Sequence, residues 1–351
     1  MMLLEPPQPS LRLRIDSEAL ADNWRMLDRL SGAARAGAAV KANAYGLGID
    51  PVMTALTRAG ARDFFVAHWS EVPPLMAHAA GAQIAVLHGP LLPADVAYAR
   101  ATGVRPVINS LHQAGLWVEQ RGGPCHLMVD TGINRLGLPL GELGDPLIAK
   151  LDIEVLLSHL ASADEDSAQN ARQLAQFHEA ARLCGAQSLS LANSAGIALG
   201  PDYAFDLTRP GLALYGGVPR PELAGSVRQV VHLEAAVLQL RDLSAGDAVG
   251  YNATFTAQHA MRAATISIGY ADGLLRCWSG TGSVSFAGQD LPLLGRVSMD
   301  MVVADASKVP GLRAGDFVTI PYALPEASRA CGLSQYELLT SLGNRFFRKE
   351  N

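Results

Sequence analysis

The sequence contains no block of clustered lysine and arginine residues, and its formal net charge is −5. Proteins that bind nucleic acid through its phosphates need such clusters, so no nucleic-acid partner is expected. No stretch approaches the ~18 consecutive uncharged apolar residues of a membrane-spanning helix. The first residues, MMLLEPPQPS, have no positive lead and no apolar core of useful length, so neither a signal peptide nor a membrane partner is expected.

Cysteine is also scarce. The four residues are scattered, without CxxC spacing, at Cys125, Cys184, Cys277 and Cys331. This pattern suits reduced thiols in a cytoplasmic protein better than a disulfide framework or a zinc site, so no metal ion is expected. The remaining composition, 49% apolar and 17% charged over 351 residues, is typical of a folded protein with two domains.

The first part of the chain repeats one pattern, in which a short apolar run is followed by a turn and a helical periodicity. The eight runs are 38–41, 64–67, 84–88, 104–108, 125–130, 153–159, 188–193 and 211–215, and clear helical patterns occupy 50–59 and 168–184. Eight buried strands that alternate with helices predict a (β/α)8 barrel. A doubly wound open sheet would also alternate, but the count of eight and the absence of a GxGxxG turn argue against it.

The pattern changes after about residue 227. Short strands are predicted at 230–240, 263–268, 283–287, 291–297, 301–304 and 317–322, joined by tight turns such as SAGD, SGTG and RAGD. A long helical pattern returns only at 334–342. With a boundary in the GGVPRPELAG stretch at 216–225, we expect a barrel over residues 1–226 and a mainly-β domain over 227–351.

Polar residues end several of the eight runs, and in such a barrel the active site lies at the carboxyl ends of the strands. Lys41 ends the first run, and burial there would lower its pKa and free the amine as a nucleophile. The alternative is a lysine that extends into solvent at a strand end. The other residues at these ends are Asp130, Arg135, His159, Asn193, Ser194 and Arg209.

Eight motifs that span both predicted domains resemble those of alanine racemases, which are fold-type III pyridoxal-phosphate enzymes. In chain order they are VKANAYGLG (40–48), VDTGINRLG (129–137), SHLASAD (158–164), ANSAG (192–196), RPGLALYG (209–216), GYNATF (250–255), IGYADG (268–273) and GRVSMDM (295–301). The resemblance implies pyridoxal 5'-phosphate as cofactor and interconversion of L- and D-alanine as the reaction.

Two acid/base residues are implied by the resemblance. Lys41 would form the Schiff base with the cofactor and then act on one face of the substrate. Tyr251 would act on the opposite face, because a proton removed from one side must return from the other. The family's tyrosine reaches the site of the partner subunit, so a homodimer is expected. Taken alone, Tyr251 would be read as an aromatic residue at a strand edge.

The resemblance also implies a set of binding residues. Tyr45, Ser194 and the backbone of Gly211 and Leu212 would bind the cofactor phosphate, with Asn193 beside them, while His159 would lie against the ring and Arg209 at the pyridine nitrogen. Arg135 and the backbone N–H of Met299 would bind the substrate carboxylate, and Asp300 would support the loop around Tyr251. An access corridor is implied at Tyr270, Asp164, Arg276 and Arg296.

Simpler roles compete with several of these assignments. Ser194 would also serve as the N-cap of the next helix, His159 as a hydrogen-bonded core histidine and Arg209 as a surface partner of Asp206. The corridor residues would equally be solvated surface groups.

Two positions depart from the family pattern. Met128 replaces a lysine that is carbamylated in many members and positions the arginine equivalent to Arg135. No carbamate can form at Met128, so Arg135 must be held in another way. Asn344 precedes Arg345 where some members have a phosphate-binding tyrosine.

Three other functions compete with alanine racemisation. A fold-type III decarboxylase would use a carboxylate at the pyridine nitrogen, and a non-catalytic barrel protein would lack the β domain. A racemase of broader range, or one for serine or lysine, is harder to separate, because apolar contacts discriminate poorly between small side chains. D-alanine supply for peptidoglycan and alanine catabolism both remain open.

Overall fold

The computed structural model describes residues 9–350, and it divides into two compact units. One unit is Glu18–Arg228, and the other combines the residues up to Ser17 with those from Gln229 onward. The second unit contains the strand Leu11–Ile15, which the sequence analysis grouped with the barrel. No helix in the described part of the chain is long and apolar enough to cross a membrane.

The first unit is a closed parallel barrel, so the predicted fold class is confirmed. Its eight strand segments are Arg35–Ala36 with Ala38–Ala39, Phe64–Val66, Ile84–Val86, Arg105–Ile108, Cys125–Asp130, Ile153–Leu157, Ser188–Ser190 and Leu207–Thr208. The barrel closes where Leu207 pairs in parallel with Arg35 and Thr208 with Ala36. Hydrogen bonds from the Asp206 and Arg209 N–H groups to Leu189 and Ala192 join the last two strands.

Helices surround this barrel and start where the sequence supplies caps. Ser110 and Ser167 accept hydrogen bonds from the backbone N–H groups of Gln113 and Gln169, which are otherwise unpaired at a helix start. The helices are Ser17–Leu30, Ile49–Ala59, Val72–Leu75, Pro93–Thr102, Leu111–Glu119, Ala168–Leu183 and Ser194–Ala198. The helical patterns at 50–59 and 168–184 are therefore confirmed to within a residue.

Alternate strand residues form two apolar layers, as expected for strands buried on both faces. The layer inside the barrel consists of Phe65, Ala85, Val107, Met128, Val155, Leu157 and Leu207. The outer layer packs strand residues such as Leu127 and Leu156 against helix residues such as Phe177. These layers leave polar side chains at the strand ends.

The prediction for the eighth strand is wrong. Residues 211–215 do not form a strand, because Leu212–Tyr215 is a 3-10 turn with all four side chains buried. The strand is Leu207–Thr208, two residues long. The run GLALY is apolar because it is enclosed, and the period of a five-residue apolar run does not separate a strand from a buried turn.

The second unit is mainly antiparallel sheet, with strands Leu11–Ile15, Val231–Leu243, Met261–Ile266, Ser283–Phe286, Gln289–Leu294, Val302–Asp305, Phe317–Ile320 and Phe347–Glu350. Val231–Leu243 closes this sheet, since residues 233–236 pair with Phe317–Ile320 and residues 237–243 with Met261–Ile266. Two helices follow the last antiparallel strand, Leu324–Cys331 and Gln335–Thr340. The sequence analysis expected only the second of them.

Candidate active site

Lys41 lies at the carboxyl end of the first barrel strand, on a turn of unusual backbone conformation. The next four residues all have φ between 53° and 55°, namely Ala42, Asn43, Ala44 and Tyr45. This left-handed region costs a residue with a side chain roughly 1–2 kcal/mol. Gly46 and Gly48, which also have positive φ, bring the chain back into the helix Ile49–Ala59. Lys41 therefore sits on a strained turn that neighbouring groups must hold in place.

Glu71, which the sequence analysis did not select, provides one of these restraints. Its Oε1 accepts a short hydrogen bond from the N–H of Ala42. Its Oε2 accepts from the N–H groups of Ala67 and His68 at 2.7 and 2.9 Å. One carboxylate thus joins the loops that follow the first two barrel strands.

Lys41 is half-buried, and burial lowers the pKa of its amine, with a further lowering by Arg135 and Arg209 and an opposing contribution from Glu71. Burial also lowers the pKa of His159 to about 3, and Arg209, Arg135 and Lys41 act in the same direction. His159 is therefore neutral at physiological pH. The structure brings these predicted residues within electrostatic reach of one another.

Arg209 is 6% exposed and held by oxygen atoms of three residues. It donates to Ser190 Oγ and to the Ser158 carbonyl at 2.5 Å each, and to the Leu191 carbonyl at 3.4 Å. Burial lowers the pKa of Arg209 to about 10, so it stays charged at neutral pH. The surface pair with Asp206 is not formed, because the Asp206 carboxylate accepts the N–H of Leu189 instead.

A tight contact at Gly211 brings three predicted residues together. A Cβ atom at Gly211 would lie 2.3 Å from the Tyr45 hydroxyl. Ser194 Oγ accepts hydrogen bonds from the N–H groups of Gly211 and Ala213 at 2.9 and 3.2 Å. Tyr45 stacks on Tyr215 at 4.6 Å, and the Tyr215 hydroxyl donates to the Ala39 carbonyl. Tyr215 lies within RPGLALYG, but the sequence analysis did not single it out.

The N-cap of the helix Ser194–Ala198 is Asn193, not Ser194. Asn193 Oδ1 accepts the Gly196 N–H at 2.9 Å, which leaves the Ser194 hydroxyl for the 211–213 backbone. Both residues are at the carboxyl end of the seventh barrel strand, beside Gly211, and Leu212 is buried next to it.

Arg135 is exposed at the end of the loop that follows the fifth strand. Asp130 Oδ1 organises this loop by accepting the N–H groups of Gly132, Ile133 and Asn134. Met128 lies in the apolar layer inside the barrel, with its Cγ 3.1 Å from the position of a Cβ on Gly137. The departure from lysine thus puts an apolar group beneath the Arg135 loop.

Tyr251 lies in the second unit, in the turn between the paired strands Ala248–Val249 and Phe255–Thr256. Its side chain is 66% exposed. Gly250, Asn252 and Ala253 all have positive φ, a backbone conformation that is typical of tight turns. Tyr251 is therefore a turn residue rather than an aromatic at a strand edge.

The loop that carries Met299 is tied to two other segments of the second unit. The N–H groups of Tyr270 and Ala271 donate to the Ser298 and Met299 carbonyls at 3.0 and 3.1 Å. Arg345 pairs with Asp300 at 2.7 Å and, through two bonds, with the buried Asp272. Asp300 thus supports this loop through Arg345.

The predicted corridor residues lie in both units and are treated separately. In the second unit the Arg276 guanidinium lies 5.7 Å from the centre of the Tyr270 ring, and Arg296 is exposed. In the first unit Asp164 is exposed. Asn344 is exposed beside Arg345, and the structure gives no contact that assigns it a role.

Comparison with known proteins identifies the family. Residues 15–219 match the model of the alanine racemase N-terminal domain, and residues 230–350 match that of the C-terminal domain. A biosynthetic alanine racemase of Agrobacterium fabrum is 42% identical, with 97% of this chain and 94% of that protein aligned. A catabolic alanine racemase of Rhizobium johnstonii is also 42% identical, over 96% of this chain and 94% of that protein.

A solved structure agrees with these relatives. The alanine racemase of Bartonella henselae, which carries covalently bound pyridoxal phosphate, superposes with a TM-score of 0.92 at 37% identity. The alignment covers 98% of this chain and all of that one. Both domain models, the relatives and the fold lead to one assignment: the chain belongs to the alanine racemase family.

Proposed function

We propose that this protein is a pyridoxal-phosphate-dependent alanine racemase that interconverts L- and D-alanine, with Lys41 and Tyr251 as its two acid/base residues. The observation that carries the proposal is that Lys41, whose pKa burial lowers, lies within electrostatic reach of the buried cation Arg209 at the carboxyl end of the barrel. Among residues 9–350, Arg209 has hydrogen bonds to oxygen atoms but no salt-bridge partner.

The residues present fit the cofactor. Lys41 would hold it covalently, and the lack of a side chain at Gly211 lets the Tyr45 hydroxyl approach the backbone that would bind the phosphate. Tyr45, Ser194 and the backbone of Gly211 and Leu212 would supply uncharged donors for the phosphate, the Gly211 N–H in place of its bond to Ser194 Oγ. Asn193 holds the adjoining helix start. His159 would lie against the ring, and Arg209 would donate to the pyridine nitrogen.

When bound, pyridoxal phosphate makes the hydrogen on the substrate α-carbon acidic by withdrawing electrons from that bond. Because Arg209 stays protonated, it would donate to the pyridine nitrogen and leave that nitrogen without a proton. This would weaken the electron withdrawal and disfavour transamination. A decarboxylase would place a carboxylate at this nitrogen. The arginine therefore supports racemisation over decarboxylation.

Inversion at the α-carbon needs one group on each face. Lys41 Nζ would hold or release the proton on one face and the Tyr251 hydroxyl on the other. Because Tyr251 is 66% exposed in a single chain, it is free to enter a site on another molecule. We propose a homodimer in which each Tyr251 completes the site of the partner subunit.

Arg135 and the Met299 N–H would bind the substrate carboxylate, which a forked donor and a fixed amide suit well. Asp300 and Arg345 would hold the Met299 loop, and the corridor would contain Tyr270, Asp164, Arg276 and Arg296. We place the protein in the cytoplasm, where its four free thiols are stable. Relatives named biosynthetic and catabolic are equally similar, so both roles are compatible with the chain.

The direct test is to incubate the purified protein separately with L-alanine, L-serine and L-lysine and to follow each D-enantiomer by chiral chromatography. We expect D-alanine to form fastest. An absorption band near ~420 nm, lost in Lys41→Ala, would report the bond between Lys41 and the cofactor. Release of carbon dioxide without any D-amino acid would contradict racemisation, and faster D-serine formation would reassign the substrate.

A further inference from the structure

Glu71 contacts the backbone beside Lys41, although it is on a different loop and belongs to none of the motifs. We propose that Glu71 is the positioning residue for Lys41: it holds the turn on which Lys41 sits and places a negative charge near its amine. The proposal rests on the proposed function, since it concerns how Lys41 performs its acid/base role.

Glu71 holds the first residue of the strained turn beside Lys41. Ala42 begins the left-handed stretch, and its N–H donates to Glu71 Oε1. Further along, Asn43 Oδ1 accepts the Ile49 N–H at 3.2 Å, and Tyr45 stacks on Tyr215. These contacts restrain the later part of the turn, whereas the Glu71 bond restrains the residue next to Lys41. Loss of that bond would allow the strained backbone at Ala42 to relax and Lys41 to move with it.

The carboxylate is itself well fixed. Three backbone N–H groups, from Ala42, Ala67 and His68, donate to its two oxygens. Such bonds set the orientation of the carboxylate. Glu71 therefore ties the loop after the second barrel strand to the turn that follows the first strand.

Glu71 also brings a negative charge near Lys41. Burial lowers the pKa of the Lys41 amine, and Arg135 and Arg209 lower it further, whereas Glu71 acts to raise it. The exposed His88 and the half-buried His159 also lie near Lys41, and neither is expected to be charged at neutral pH, because burial lowers the pKa of both. The groups that interact electrostatically with Lys41 are Arg135, Arg209, Glu71, His88 and His159. Among them Glu71 alone carries negative charge.

The experiment compares the full-length wild-type holoenzyme with Glu71→Gln, which keeps the size of the side chain but removes its charge. We would titrate the visible absorption of the Lys41-linked cofactor against pH and measure kcat and KM for alanine. We expect the apparent pKa of this linkage to fall by about one pH unit, as for loss of a nearby opposite charge. We expect kcat to fall at least about tenfold with little change in KM, because Glu71 does not contact the substrate.

A matched control is Asp95→Asn. Asp95 also accepts two backbone N–H bonds in a loop that follows a barrel strand, from Leu91 and Leu92 at 2.8 and 3.0 Å. It does not contribute to the pKa of Lys41. The control should leave the titration and kcat unchanged. A second variant, Glu71→Asp, keeps the charge and should recover most of the titration shift.

The outcomes separate the inference from the proposed function. If Glu71→Gln binds less cofactor but its remaining holoenzyme titrates like the wild type, Glu71 is only structural and the inference is overturned. Unchanged titration with unchanged kcat overturns it as well. If the wild-type protein shows no band that depends on Lys41, the proposed function fails first.

Discussion

Arg209 and Ser190 form a chain of two short hydrogen bonds inside the barrel. Arg209 Nη1 donates to Ser190 Oγ at 2.5 Å, and the same hydroxyl donates to the Leu207 carbonyl at 2.5 Å. Arg209 Nη2 donates to the Ser158 and Leu191 carbonyls, so both Nη atoms of its planar group are held. A fork of donors can satisfy both points and still present an N–H to a ligand, whereas a lysine ammonium cannot hold one plane.

Arg209→Lys should therefore keep the visible cofactor band but lower kcat/KM for alanine by about 10²-fold, as for loss of a preorganised donor. Chiral chromatography of D-alanine at several substrate concentrations measures this. Arg35→Lys, which alters an exposed arginine paired with Asp63, is the control and should racemise alanine at the wild-type rate. Wild-type rates in Arg209→Lys would remove Arg209 from the site.

Gly211→Ala tests the phosphate cradle, the proposed site formed by Tyr45, Ser194 and the backbone of Gly211 and Leu212. The new methyl carbon would lie 2.3 Å from the Tyr45 hydroxyl and displace it. We expect the dissociation constant for pyridoxal phosphate to rise about tenfold or more, equivalent to about 1.4 kcal/mol. Titration of cofactor-depleted protein measures it. Gly141→Ala, where a Cβ meets no atom within 4 Å, should bind like the wild type; equal affinities in both variants would argue against this cradle.

The buried His126 should make the stability of the fold sensitive to acid. Burial lowers its pKa to about 4 from an ordinary 6.5, so the unfolded chain takes up this proton at higher pH than the folded one. Stability is then lost as the pH falls from about 6.5 toward 4, by on the order of 3 kcal/mol for this group. Denaturant unfolding of His126→Asn across this range should show a shallower loss.

The control for this prediction is His112→Asn, which changes an exposed histidine. Its stability should fall with pH as steeply as that of the wild type. The same steep fall in His126→Asn would show that other groups cause the acid sensitivity.

Mixing two inactive variants tests the shared site of the proposed homodimer. Lys41→Ala and Tyr251→Phe should each be nearly inactive alone. After exchange of subunits, half of the dimers would be hybrids, and each hybrid would hold one intact site, so about a quarter of wild-type activity should return. Analytical ultracentrifugation would establish that dimers are present. No recovery despite proven hybrid formation would mean that Tyr251 serves its own chain.

Much of the fold could be predicted because its signals are local. Short apolar runs with intervening helical periods identified seven barrel strands, and the change to tight turns marked the β domain. The eighth strand could not be identified in this way, because Leu207–Thr208 is too short to show a period. The buried turn Leu212–Tyr215 has the composition of a strand and drew the prediction instead.

The candidate site was predictable where its residues end a strand or lie in a motif, as Lys41 and Arg209 do. Glu71 was not, since its three N–H partners come from two loops and no spacing in the sequence connects them. Ser190 was missed for a similar reason: its importance lies in a contact with Arg209 nineteen residues away. Such residues can be identified only from the three-dimensional structure, because their partners are distant in the sequence.

The two-base mechanism requires Lys41 and Tyr251 to act on opposite faces of the substrate α-carbon. Its most direct test is hydrogen exchange at that carbon in deuterated water, with each alanine enantiomer supplied separately to Tyr251→Phe. We expect racemisation to fall by about 10²–10⁴-fold. One enantiomer should still exchange its α-hydrogen with retained configuration, through Lys41, while the other does not. Exchange of both enantiomers with undiminished racemisation would contradict the two-base account.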